Sequence, residues 1–304
     1  MADVEGQVGR GTTGGRRWSL RATLAAACLM VAGPMVLAAG APASAAPTVH
    51  ARDAGSTSAS PMAVTKSGNG YWVVDQTGQV FNFGDAPDLG SLTVTPAAPI
   101  VGIASTPDSG GYWLVGEDGG VFTFGDAVFY GSLGNVNLNA PIVGIAPTPT
   151  GLGYWLVGLD GGVFTFGDAT YHGSGASIDG IGMVLGIAGT KDGGGYWISA
   201  DDGGVFSFGD AVFHGSLGNV DLNGPIVGIS RTFSGNGYWL AGDDGGVFTF
   251  GDAGFYGSEG NVKLAAPVTG ITGTPDGLGY FLVAADGGIF THGDAHFEGA
   301  PSQG

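Results

Sequence analysis

The chain reads as an all-β protein, a six-bladed β-propeller made of six four-stranded repeats of about 42 residues each. Three recurring markers predict it. The dipeptide Tyr-Trp stands at Tyr71, Tyr112, Tyr154, Tyr196 and Tyr238, with Tyr280-Phe281 as a sixth copy, in steps of 41, 42, 42, 42 and 42 residues. Gly-Asp-Ala keeps the same beat, placing Asp85, Asp126, Asp168, Asp210, Asp252 and Asp294 at matching positions. A turn and strand start recurs at Pro61, Pro99, Pro141, Met183, Pro225 and Pro267.

Residues 1–45, ahead of the repeats, have the layout of an export signal. Arg10, Arg16, Arg17 and Arg21 give a basic start, Leu24 to Ala39 an apolar run, and Ala43-Ser44-Ala45 a small-residue cleavage site. Arg16-Arg17-Trp18-Ser19-Leu20-Arg21 resembles a twin-arginine signal with Ser19 where an aromatic is usual, so the general and twin-arginine routes both stay open. Residues 46–60 are small and polar, the composition of a flexible leader. The propeller is expected over 61–304. Cleavage after Ala45 removes Cys28, the single cysteine, so the mature chain is left with neither a disulfide nor a thiolate metal site.

Within a repeat, four short apolar runs are separated by turn chemistry. In the second repeat they are Ile100 to Ala104, Tyr112 to Gly116, Val121 to Phe124 and Val128 to Tyr130. Thr106-Pro107-Asp108-Ser109-Gly110 and Asp118-Gly119-Gly120 fall between them as tight turns. Alternation along a strand sets Tyr112 and Leu114 on one face and Trp113 and Val115 on the other, so both faces are apolar. A sheet with one wet face would alternate with polar residues. Each small sheet must therefore lie between two others, and the tryptophans read as core. The first repeat has Thr77-Gly78-Gln79 in place of Asp-Gly-Gly, and the sixth ends soon after Gly299, as terminal repeats commonly depart from the pattern. No strand is exchanged between the ends, so closure would rest on the first blade packing against the sixth.

The frame GYWLV, DGGVF, FGDA and F-x-GS, as in Gly111 to Ser132 and Gly237 to Ser258, resembles a repeat common in secreted bacterial cell-envelope proteins. The resemblance covers residues 61–300 and implies a location outside the cell or in its envelope. In that family the repeat is often joined to wall-lytic or other hydrolytic domains, and no such domain is recognisable in this sequence. The turn between first and second strands is also similar to that of Trp-Asp-repeat propellers, although the Trp-Asp dipeptide is missing.

Charge narrows the partners. The mature part carries 24 acidic and 5 basic residues, a net of −19 with no basic cluster, which argues against nucleic acid and, once the signal is removed, against a membrane. The six Gly-Asp-Ala carboxylates read as caps of the turn into the fourth strand, accepting backbone N–H groups, since six equivalent acids do not supply the two unlike carboxylates that catalysis needs. His292, Asp294, His296 and Glu298 have metal-like spacing, but Gly293-Asp294-Ala295 is a turn that breaks the alternation, so no metal, cofactor or catalytic residue is assigned. The residue before the Gly of the fourth run varies: Leu89, Tyr130, His172, His214, Tyr256 and Glu298. Polar-tipped rings there, in the outermost strand where blades diverge, make Tyr130, His172, His214 and Tyr256 the candidate ligand-binding residues.

Near-identical units make near-identical shallow sites, which suits multivalent binding. The expectation is a secreted, non-enzymatic binding module for extracellular glycan or cell-wall polymer. The alternatives are a polysaccharide hydrolase or lyase on a propeller scaffold, with Asp88, Asp179, Glu259 or Glu298 breaking the symmetry, and a scaffold for secreted proteins.

Overall fold

The structure is a computed structural model that describes residues 61–301; the expected export signal, cleavage site and leader lie outside the described residues. Each repeat forms one three-stranded antiparallel sheet with its strands in chain order. The first sheet is β1 (Met62–Val64), β2 (Gly70–Val74) and β3 (Val80–Gly84); the second is β4 (Ile100–Ser105), β5 (Gly111–Gly116) and β6 (Val121–Gly125). The third comprises β7 (Ile142–Pro147), β8 (Gly153–Gly158) and β9 (Val163–Gly167), the fourth β10 (Val184–Gly189), β11 (Gly195–Ala200) and β12 (Val205–Gly209). The fifth holds β13 (Ile226–Arg231), β14 (Gly237–Gly242) and β15 (Val247–Gly251), and the sixth β16 (Val268–Gly273), β17 (Gly279–Ala284) and β18 (Ile289–Gly293). An all-β chain of six such sheets is consistent with a six-bladed propeller.

The middle strand of every sheet is buried on both faces, and the two faces serve different neighbours. Trp113 and Val115 pack with Tyr154 and Leu156 of the third sheet, whereas Tyr112 and Leu114 pack with Trp72 and Val74 of the first. The pattern repeats through the chain, and Phe281 and Val283 of the sixth sheet meet Met62, Tyr71 and Val73 of the first. The hydroxyl of Thr272 also donates to the Met62 carbonyl at 3.4 Å. Between β4 and β5 the register shifts at Ile100/Gly102, and the same irregularity recurs in the third to sixth sheets. The glycine it leaves on the first strand has a purpose. A Cβ on Gly186 would lie 3.1 Å from the Ile229 nitrogen, so the first strands of neighbouring sheets can approach closely only without one.

The expected fourth strand is not formed: Val128–Tyr130 and its counterparts carry no ladder. Side chains satisfy their backbone groups instead. Trp113 Nε1 donates to the Val128 carbonyl at 2.8 Å, the Tyr130 N–H donates to the Tyr154 hydroxyl at 3.4 Å, and that hydroxyl donates to the Gly131 carbonyl at 2.5 Å. Gly131 has φ +134°, and a Cβ there would sit 2.6 Å from the Phe166 ring, so the chain turns sharply against the next sheet rather than running along its own.

Two variants separate these roles. Trp113, with no exposed surface, is expected to cost about 3–5 kcal/mol when replaced by Ala. Tyr154→Phe, which removes only the hydroxyl, is expected to cost about 1 kcal/mol. Urea unfolding of both measures the difference, and the reverse order would contradict the packing described.

Candidate functional site

The segment after each third strand carries the side chains that face outward, and two neighbouring positions within it behave oppositely. Tyr130, His172, His214 and Tyr256 are half-buried in the seam to the following sheet. Tyr130 stands edge-on to Tyr154 with centroids 6.0 Å apart, and its hydroxyl donates to the Gly151 carbonyl at 3.2 Å. Tyr256 lies tilted against Tyr280 with centroids 5.8 Å apart and donates to the Gly277 carbonyl at 3.1 Å. His172 lies 5.8 Å from the Tyr196 ring and His214 5.7 Å from that of Tyr238. The Nε2 atoms of both histidines are buried without a hydrogen-bond partner. The structure therefore sets each of the four in its own seam and does not bring them together.

One residue earlier, the side chain is free. Phe129, Tyr171, Phe213, Phe255 and Phe297 are 56%, 58%, 53%, 62% and 59% exposed, a ring at the same place on five of the six sheets. The Phe of the F-x-GS frame was the signal for them, but alternation in a fourth strand would have turned it inward. Without that strand it projects. Isolated exposed apolar residues are ordinary, whereas the same aromatic exposed five times at one structural position is a repeated surface feature.

The Gly-Asp-Ala carboxylates do not take the backbone N–H groups expected of them. Asp85, Asp126, Asp168, Asp252 and Asp294 instead clamp the turn between first and second strands through hydroxyls. Asp168 accepts from Thr148 at 2.8 Å and Thr150 at 2.5 Å, and Asp85 accepts from Thr65 at 2.8 Å and Ser67 at 2.5 Å. In the second, fourth and sixth sheets the outer hydroxyl is replaced by Asp108, Asp192 or Asp276. The Thr274 hydroxyl then stands 2.9 Å from Asp276 and 3.1 Å from Asp294. The N–H of Leu278 holds the Asp276 carboxyl below its usual range, while burial, followed by the hydrogen bond that its protonated form donates to Asp276, pushes that of Asp294 up. Both acids sit on an exposed turn. The Asp-Gly-Gly acids close their own turns, as where Asp118 accepts the Gly120 N–H at 2.9 Å.

His292, Asp294, His296 and Glu298 are dispersed. His292 replaces a seam Phe and brings Nε2 to 3.4 Å from Glu259 of the fifth sheet, Asp294 is held at Thr274, and the Glu298 N–H donates to the Tyr71 hydroxyl at 3.1 Å. Among the described residues no group of three or more His, Cys, Asp or Glu side chains is placed to hold a metal ion.

No protein-family model matches the chain, and neither does any curated protein. Among solved structures it is similar to the β-propeller domain of Cps50 (Swd1) from Myceliophteria thermophila, with a TM-score of 0.52, 12% identity, and coverage of 81% of this chain and 86% of that one. The likeness is one of fold alone: the chain has a β-propeller architecture.

The buried imidazoles give a pH dependence with a defined sign. Burial lowers the pKa of His214, opposed by the Asp252 carboxylate, and likewise lowers that of His292, opposed by Glu259. The unfolded chain takes up these protons near the ordinary histidine value, so stability is full above it and falls as pH drops from there towards the depressed folded value. His214→Tyr, which installs the residue of the second and fifth sheets, is expected to flatten the fall in Tm between roughly pH 7.5 and 5. Parallel Tm profiles for parent and variant would contradict the assignment.

Proposed function

We propose that the chain is a closed six-bladed propeller, exported to the cell exterior or envelope, that works without catalysis as a multivalent binding module for extracellular glycan or cell-wall polymer. The observation that carries this reading is the set of five exposed rings at equivalent positions. An aromatic face covers the apolar face of a sugar ring at little entropic cost, because the side chain has only two rotatable bonds. Repetition around a ring converts weak single contacts into avidity for a polymer. The export-type N-terminus, the cell-envelope resemblance of the repeat and the acidic surface support a partner outside the cell that is neither nucleic acid nor anionic lipid. Hydrogen bonds from the Tyr71 hydroxyl to Gly299 and from Thr272 to Met62 support closure.

The test compares an exposed-ring variant and a seam variant of residues 46–304 in co-sedimentation with insoluble cell-wall polysaccharide. Replacing Phe129, Tyr171, Phe213, Phe255 and Phe297 by Ala is expected to abolish retention with little change in Tm, since exposed substitutions usually stay within about 0.5 kcal/mol each. Replacing Tyr130, His172, His214 and Tyr256 by Ala is expected to lower Tm through the seams and to weaken retention through the displaced rings. Unchanged retention in the five-ring variant would overturn the assignment of the rings, and reducing-sugar release from the same material would overturn the non-enzymatic reading.

A further inference from the structure

The first sheet breaks the symmetry at three positions at once. Every other repeat has Gly, then Thr or Ser, then an exposed aromatic, as in Gly120, Thr123 and Phe129; the first has Gln79, Asn82 and Asp88. These three line a groove of about 480 Å³ together with Phe81, Phe83 and Ser91. That volume lies in the range of small-molecule sites.

The polar groups are fixed in place by their own hydrogen bonds. Gln79 Nε2 donates to Ser91 Oγ at 3.0 Å and to the Val80 carbonyl at 3.3 Å, Asn82 Nδ2 donates to the Ala86 carbonyl at 3.2 Å, and Asp88 Oδ1 accepts the Gly90 N–H at 3.1 Å. Both N–H groups of Gln79 Nε2 and one of the two on Asn82 Nδ2 are thereby used. Gln79 Oε1, Asn82 Oδ1 and Asp88 Oδ2 take no hydrogen bond from another described residue. Three acceptors beside two half-buried phenyl rings ask for a ligand with several O–H donors and an apolar face. An anion meets these acceptors and the Asp88 carboxylate there, against the one remaining N–H of Asn82.

Resting on the glycan reading above, we propose that this groove is a single binding site for a neutral pyranose unit, distinct from the repeated exposed rings. The site gives the ring a unique position at which a chain held loosely elsewhere is read for its hydroxyl pattern, because hydrogen bonds to hydroxyls discriminate more sharply than apolar contact does.

Calorimetric titration of residues 46–304 with cello-, manno-, galacto- and N-acetylchitotetraose tests this. One or more of these sugars is expected to bind at one site per chain. The triple variant Q79G/N82T/D88F, which restores the sequence of the other repeats, is expected to lose at least tenfold in affinity at unchanged Tm, while the five-ring variant keeps the site. Should the triple variant fold poorly, Asp88→Asn alone is expected to weaken binding in the same direction. Parent-like binding by the triple variant, or by Asp88→Asn where the triple variant folds poorly, overturns the groove. Binding of wall polymer through the rings with no response to any tetrasaccharide also overturns the groove and leaves the multivalent reading standing. Failure of the parent to bind either the tetrasaccharides or the wall polymer overturns both.

Discussion

The tyrosine hydroxyl that crosses each seam is the contact on which the rest of the architecture depends. Tyr71, Tyr112, Tyr154, Tyr196, Tyr238 and Tyr280 all donate to a glycine carbonyl at the end of another repeat: Gly299, Gly90, Gly131, Gly173, Gly215 and Gly257. Their rings have no exposed surface, and burial raises the pKa of these phenols, to about 12 for Tyr112 and Tyr238. Such a group needs a partner when buried. The partner must approach closely, which is why glycine stands there in a conformation other residues rarely adopt.

From that contact the outer surface follows. Once the seam tyrosine and the tryptophan Nε1 have satisfied the backbone of the segment after the third strand, the segment has no reason to pair as a fourth strand. It is held as an irregular strap whose alternate residues are not obliged to alternate in burial. The residue before Gly fits the seam, and the one before that is pushed outward. The five exposed rings are thus a by-product of the same hydrogen bonds that join the sheets, and their equivalence comes from the equivalence of the seams.

Much of this was legible in the repeats themselves. The two-faced apolar strand from Tyr112 to Val115 required sheets on both sides, and the structure places Tyr and Trp in successive seams as alternation demands. The fourth strand was misread because Val128, Phe129 and Tyr130 look like a short strand to any rule based on local hydrophobicity. Their hydrogen bonds run to side chains 15 residues back and 24 residues ahead, information no local rule holds. The Gly-Asp-Ala acids do hold a turn, but a different one from the turn into the fourth strand and through different partners, because Thr148 and Thr150 are distant in sequence from Asp168. At the variable slot, variation marked tolerance of different seam fillers rather than freedom from the core. The groove on the first sheet was hidden in what looked like the ordinary irregularity of a terminal repeat.

The central claim is that six equivalent seams, the one between the sixth and first sheets included, hold a single ring that carries the outer surface. Amide hydrogen exchange resolved by sheet tests it most directly. The account predicts that β2 and β17, which flank the seam between the chain ends, exchange only through the same global opening as β8 and β11 in the middle of the chain. Markedly faster exchange in β2 and β17, with β8 and β11 still protected, would show an open stack frayed at its ends and would contradict it.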